Sequence, residues 1–413
     1  MSSTTTSAGT GRRLYDWLDK RLPIRALIES QLTHYYPPKN LNVWYYFGVM
    51  ALVVLAVQIV SGIFLVMHYK PDAAAAFDSI ERLMREVEWG WLIRYTHTTG
   101  ASFFFIVVYL HIFRSLMYGS YKAPREVLWT LGMLIYLTLM AEAFMGYVLP
   151  WGNMSYWGAQ VIVNLFGTIP VVGPGLVEWI RGDYGIADST LSRFFSLHVI
   201  AVPLALLLLV TLHLVALRTV GSNNPEGIEV KNNTDASGRP FDGIAFHPYY
   251  IVKDVLSVSV FLVFFTTVLF FVPTFGGLFL EPTNFEPANP SSTPEHIAPA
   301  WYFAPYYAIL RAVPDQRLGA LLMLLGVLSF LFLPWLDRSR VRSIRYKGWL
   351  SHAALGGFAI SFIALGFIGL QPATATYVVL ARAFSMVYFA YFWLMPVYSK
   401  FDRVRAIPGR IPS

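Results

Sequence analysis

The sequence predicts an all-α polytopic membrane protein with eight transmembrane helices, and three observations carry that prediction. Hydrophobic residues make up 56% of the 413 and charged residues only 13%, with a mean hydropathy of +0.52, a poverty of charge foreign to soluble domains of this length. Eight apolar runs of bilayer-spanning length stand at 43–67, 91–113, 127–149, 194–217, 251–272, 318–335, 349–370 and 376–397. Charge segregates across the runs: of 31 Lys and Arg, 22 fall on the side of the tails and even-numbered connections, eight on the opposite side, and one, Arg382, within the last run. Eight crossings return both termini to one side, which the positive excess predicts to be the cytoplasm. The first 40 residues are polar and basic without an apolar signal core, so the first run is expected to be its own insertion signal. The expected division is a basic cytoplasmic segment 1–40, a four-helix bundle 41–220, a second helical set with an outer-face loop 221–400, and a cytoplasmic tail 401–413. With no Cys, the chain cannot itself hold cysteine-ligated iron–sulfur clusters, covalent c-type haem or disulfides. Its net charge of +7 is accounted for by the loops and calls for no nucleic acid; the apolar runs imply a lipid membrane as partner.

The second and fourth runs share a pattern. Residues 94–114 read RYTHTTGASFFFIVVYLHIFR and residues 193–218 read RFFSLHVIAVPLALLLLVTLHLVALR, each with a His near either end and an Arg beyond each His. His97 and His111 are 14 residues apart, about 21 Å along a helix and within about 40° of one face. His198 and His213 are 15 apart, about 60° past four turns, and Pro203 between them offers a kink to absorb the difference. A lone His in an apolar helix is more often a hydrogen-bonded core residue than a ligand. Four at matched intervals on two helices point instead to bis-imidazole coordination of two haem irons, His97 with His198 and His111 with His213.

The first and third runs repeat the interval with glycine: Gly48 and Gly62, then Gly132 and Gly146, are also 14 apart. Ordinary small-residue packing would explain either pair alone. Matched to the histidines, they predict a four-helix bundle in which a flat macrocycle approaches the backbone where side chains are missing. Arg94 and Arg193 at one end, Arg114 and Arg218 at the other, suit anionic haem propionates, although snorkelling at helix ends explains each as well. The long connections 150–190 and 273–317 are rich in aromatic, aliphatic and Pro residues and are expected to form short interfacial helices and functional covers.

Together with the four histidines, GYVLPWGNMSYWGAQVI at 146–162, SNNP at 222–225, FHPYY followed by Lys253-Asp254, and WYF at 301–303 closely resemble the cytochrome b subunit of the respiratory cytochrome bc complex, in its bacterial full-length type. The likeness spans roughly residues 35–400. It implies two non-covalent b-type haems, quinol oxidation at the outer face, quinone reduction at the cytoplasmic face, and a contribution to proton motive force. It also implies a Rieske-type iron–sulfur protein and a membrane-anchored c-type cytochrome as partners, a homodimeric complex, and the bacterial inner membrane. By resemblance, the outer quinol site involves Phe144, Tyr147, Gly158 and Tyr302, and the inner quinone site Trp44, Arg218, Asn223, Lys253 and Asp254.

Two departures bear on chemistry. The family's usual Pro-Glu-Trp-Tyr is here Pro299-Ala300-Trp301-Tyr302, so the carboxylate generally given a quinol proton is absent. Quinol oxidation still needs a proton acceptor, and the sequence offers Glu142, within the third run, ahead of Glu295 in the loop. Arg218 stands where many relatives have His, and an Arg can hold a carbonyl or a propionate but cannot deliver a proton, which leaves Asp254 and water for that task. Two other classes stay open from the residues alone: a transporter with an intramembrane His/Glu proton path, which would be colourless, and a di-haem anchor of another dehydrogenase, which has no use for the 146–162 and 294–303 segments.

Overall fold

A computed structural model describes residues 10–23, 25–26 and 29–412; the start of the predicted 1–40 segment and Ser413 lie outside the described residues. Among the described residues, eight helices are long and apolar enough to cross a membrane: α1 Val43–Val66, α2 Gly90–Tyr118, α3 Glu126–Val148, α4 Asp188–Val220, α5 Phe246–Phe271, α6 Gln316–Leu336, α7 Trp349–Gly369 and α8 Ala375–Trp393. Each overlaps one predicted run, because a bilayer leaves about 20 consecutive residues no polar partner except their own backbone; the last ends at Trp393, short of the expected 397. The chain is a multi-pass membrane protein, and the described residues contain only isolated β-bridges beside the helices. α1 packs on α2, α3 on α4, and α7 on α8.

Two sets of loops close the ends of the bundle. At the end carrying the termini, Asp242 of the α4–α5 connection pairs with Lys39 at 3.2 Å and Arg410 at 3.1 Å, tying both tails to one loop. At the same end, Asp337 takes Lys122 at 3.2 Å, Lys347 at 2.7 Å and the Tyr121 hydroxyl at 2.8 Å, joining the α2–α3 and α6–α7 connections. Burial raises the Asp337 carboxyl, but the Lys347 and Lys122 ammonium groups outweigh it and hold the group below its ordinary value. Gly119 ends α2 with φ 63°, and a Cβ there would lie 2.5 Å from the Arg342 carbonyl oxygen.

At the opposite end the α3–α4 and α5–α6 connections interlock. Asn153 N donates to Glu286 O at 2.9 Å, and Ala288 N to Trp151 O at 3.0 Å. The predicted interfacial helices are Asn153–Phe166 and Gly173–Arg181, and Ala76–Glu86 adds one in the first connection. Arg311 donates from Nη2 to Ile368 O at 3.0 Å and from Nη1 to Gln371 O at 2.9 Å, fastening the α7–α8 connection to the same end.

The expected kink at Pro203 takes a different form. Leu197–Ala201 is a π-helical turn, and Val202 N bonds back to Leu197 O. Pro203 has no N–H to offer the carbonyl four residues back, and the wider turn admits one extra residue. The 15-residue His198–His213 spacing thereby behaves as the 14-residue spacing of α2.

Candidate functional site

Four imidazoles meet in two pairs between α2 and α4. The rings of His97 and His198 stand 6.2 Å apart, centre to centre, with planes at 85°; those of His111 and His213 stand 6.5 Å apart at 65°. Two imidazoles sharing one metal ion at about 2.0 Å from each nitrogen would have ring centres about 6 Å apart. Both pairs are thus spaced to hold one metal ion between two histidines. All four glycines lie against these rings. A Cβ would meet His111 Cε1 at 3.3 Å from Gly48, His97 Cε1 at 3.3 Å from Gly62, His213 Cε1 at 3.2 Å from Gly132, and His198 Cε1 at 2.4 Å from Gly146. Each glycine therefore admits an imidazole from the neighbouring helix, and the equal intervals keep all four in register.

The pair at the end opposite the termini is fixed from behind. Ser61 Oγ donates to Val57 O at 2.6 Å, so its lone pair is free to accept from His97 Nδ1 at 2.9 Å. His198 Nδ1 lies 2.9 Å from Glu142 O and 3.0 Å from Glu142 Oε1. Both neighbours are acceptors, which puts the proton on Nδ1 and leaves Nε2 its lone pair for a metal. Among the described residues, His111 Nδ1 has no hydrogen-bond partner.

Beside this pair, α3 ends against the α5–α6 loop. The Tyr147 hydroxyl donates to Glu281 Oε2 at 3.1 Å and accepts from Asn284 Nδ2 at 2.9 Å, while the same amide reaches Glu281 Oε2 at 3.1 Å. Gly158 comes within 3.8 Å of the Tyr147 ring, counted from its would-be Cβ. Tyr302 is buried, stacked on Phe105 with ring centres 4.0 Å apart, and its carbonyl accepts the Tyr109 hydroxyl at 2.5 Å. Burial raises the Glu281 carboxyl above its ordinary value, opposed by hydrogen bonds that include those from Tyr147 and Asn284.

The family model described as cytochrome b/b6/petB matches residues 32–221, and that described as cytochrome b (C-terminal)/b6/petD matches residues 287–389. A cytochrome b from Allochromatium vinosum is 56% identical over 405 residues, covering 96% of this chain and 98% of the relative. One from Rickettsia bellii is 47% identical over 408 residues, covering 98% and 99%. A solved hyperthermophilic respiratory Complex III contains a chain similar to this one, with a TM-score of 0.87 and 40% identity over 94% of this chain and 98% of that one. The chain belongs to the cytochrome b family.

Within that family frame, several residues singled out in the sequence stand in unexpected company. Glu142, first choice as proton acceptor, turns its carboxylate to His198, and Glu295 is exposed. Phe144 packs edge-on to Phe194 of α4, ring centres 5.7 Å apart. Arg193 bonds the Trp179 carbonyl with its guanidinium 5.9 Å from the indole centre, so it braces an interfacial helix. Arg94 is buried in α2, and Arg114 lies over the Tyr45 ring at 4.6 Å and bonds Ser120 Oγ at 3.0 Å.

At the termini end, Arg218 covers the Tyr35 ring at 4.0 Å and the Phe246 ring at 5.1 Å, and Asp254 sits in its field. Lys253 Nζ bonds the Tyr249 hydroxyl at 2.8 Å. The other two residues assigned to that site face helix α2. Asn223 Nδ2 bonds Tyr118 O at 2.6 Å, and Trp44 packs on Phe113 and lines an apolar cavity of about 530 Å³ between α2 and α7. Ser61, Glu281 and Asn284 escaped the sequence reading: a serine in an apolar run and two polar loop residues carry no local signal of their partners.

Proposed function

We propose that this chain is the quinol-oxidising, transmembrane electron-transfer subunit of a respiratory quinol:cytochrome c oxidoreductase, holding two b-type haems. His97 and His198 would ligate one and His111 and His213 the other. When bound, the haems supply one-electron carriers at two depths, linking quinol oxidation at one face to quinone reduction at the other in a Q cycle. The observation that carries this reading is the fourfold match of glycine to imidazole at two levels of one bundle, with the α5–α6 loop meeting Tyr147 beside Gly146 of the first level.

The chain's residues have separable tasks. Ser61 and Glu142 fix the ring orientation and tautomer of His97 and His198, and so preset their free nitrogens. Tyr147, Gly158 and Tyr302 would border the quinol, with the interlocked loops excluding water from that end. Phe144 supports that wall through Phe194. At the termini end, Arg218 offers a fixed cation to a quinone carbonyl or propionate, and Asp254 and Lys253 the proton-carrying groups. Arg94 and Arg114 stand at opposite ends of α2 as cations for propionates. The basic loops support a cytoplasmic side for the termini end, in a bacterial inner membrane. A Rieske-type iron–sulfur protein would take one electron from quinol and pass it to a membrane-anchored c-type cytochrome, in a complex with two copies of this chain.

Purification of the complex tests the reading. It predicts a reduced-minus-oxidised spectrum with two b components, two haems per chain, and quinol-dependent cytochrome c reduction. A colourless preparation, or one haem per chain, would refute it.

A further inference from the structure

We infer that Glu281 takes a quinol proton in this chain through the Tyr147 hydroxyl, supplying the carboxylate that position 300 lacks. The inference rests on the quinol-site reading above. Glu281 and Tyr147 come from the α5–α6 loop and the end of α3, 134 positions apart, and meet at 3.1 Å. Asn284 fixes their geometry. Its Oδ1 accepts from Ser155 N at 2.8 Å, which orients the amide so that Nδ2 reaches both Tyr147 Oη at 2.9 Å and Glu281 Oε2 at 3.1 Å. The phenol proton thus points at the carboxylate and one phenol lone pair is taken by Asn284, which leaves the second as the acceptor for a quinol hydroxyl.

A quinol hydroxyl suits that position. As its O–H bond breaks, the proton forms a new O–H bond at Tyr147 Oη, and the tyrosine's own proton passes to Glu281 Oε2, converting carboxylate to carboxylic acid. The two electrons leave to the one-electron acceptors named above, and the second quinol proton leaves on the iron–sulfur partner's side. Glu281 then releases its proton to water at that face. The rival carboxylates are otherwise placed: Glu142 is bonded to His198, and Glu295 is exposed. Burial holds the Glu281 carboxyl above its ordinary value, which brings it closer to the pH at which it must cycle.

The test uses the purified complex. Glu281→Gln keeps a hydrogen-bonding partner for Tyr147 but cannot accept a proton. Quinol-dependent cytochrome c reduction is expected to fall about 100-fold, to lose the rise with pH that deprotonation of a carboxylate confers, and to leave both b-haem spectra unchanged. Adding Ala300→Glu to that variant is expected to restore part of the rate and of the pH dependence. Wild-type turnover and pH profile in Glu281→Gln would overturn the inference, as would a loss that Ala300→Glu fails to relieve. If Glu281→Gln does not assemble, Tyr147→Phe breaks the same relay with Glu281 in place; wild-type turnover there overturns it equally. A wild-type complex without quinol oxidation would instead refute the underlying reading.

Discussion

Replacing Gly146 by Ala sets two effects of known direction against each other. Alanine stabilises a helix by about 1 kcal/mol relative to glycine, so a position indifferent to its neighbours would gain. At Gly146 the new methyl would stand 2.4 Å from His198 Cε1 and 2.9 Å from both ring nitrogens, about 1.0 Å short of ordinary contact at 3.4 Å. The ring cannot swing freely, because its Nδ1 is held by the Glu142 carbonyl and carboxylate at 2.9 and 3.0 Å. At Gly48, Gly62 and Gly132 the corresponding distances are 3.3, 3.3 and 3.2 Å, a shortfall of about 0.1 to 0.2 Å. Metal–ligand distances tolerate about 0.2 Å. Gly146→Ala is therefore expected to expel or misligate the haem of the His97/His198 pair, at an overpacking cost of about 1–3 kcal/mol, while the other three variants keep two haems. Haem per chain, measured as the pyridine complex, with optical redox titration of each variant, decides the matter. Two haems with unaltered potentials in Gly146→Ala, or equal losses in all four variants, would refute the geometric reasoning.

Three further outcomes follow from the same contacts. Glu142→Gln removes the negative charge behind His198, and the haem of that pair is expected to rise in potential by tens of millivolts while its partner holds still; an unchanged titration would show that the carboxylate does not polarise the ring. Asp337→Asn strands two lysines at a buried site and is expected to cost about 3–5 kcal/mol, read as a lower temperature for loss of the haem Soret band in detergent; an unchanged temperature would contradict it. Since the folded protein holds Asp337 below its ordinary value, that group's contribution is complete above the usual aspartate range and fades as pH falls towards the depressed value, so Asp337→Asn is expected to flatten the acid limb of the stability curve.

The spans and the histidine frame were legible because both are periodic. A bilayer demands about 20 apolar residues per crossing, and a shared 14-residue interval can be counted along the chain without knowing which helices touch. The single mismatch, 15 residues in α4, pointed correctly to Pro203 as the irregularity, but only the backbone could distinguish a kink from the π-helical turn at Leu197–Ala201. Roles fixed by contacts between distant residues were not legible. Glu142 drew notice as a charge inside an apolar run, yet its proximity to His198 depends on how α3 meets α4. Glu281 is one of several acids in the Pro-rich α5–α6 loop, and nothing near it in sequence distinguishes it from the exposed Glu295; its distinction comes from Tyr147 and Asn284. Trp44 and Asn223 share the termini end with Arg218 and Asp254, but their side chains pack towards α2.

The central claim, one haem for each imidazole pair, is tested most directly by removing one ring from each level in turn. His97→Asn and His213→Asn are each expected to leave one b haem per chain, with the surviving component keeping its own potential and the two variants retaining different components. Two haems in either variant, or the same surviving component in both, would contradict it.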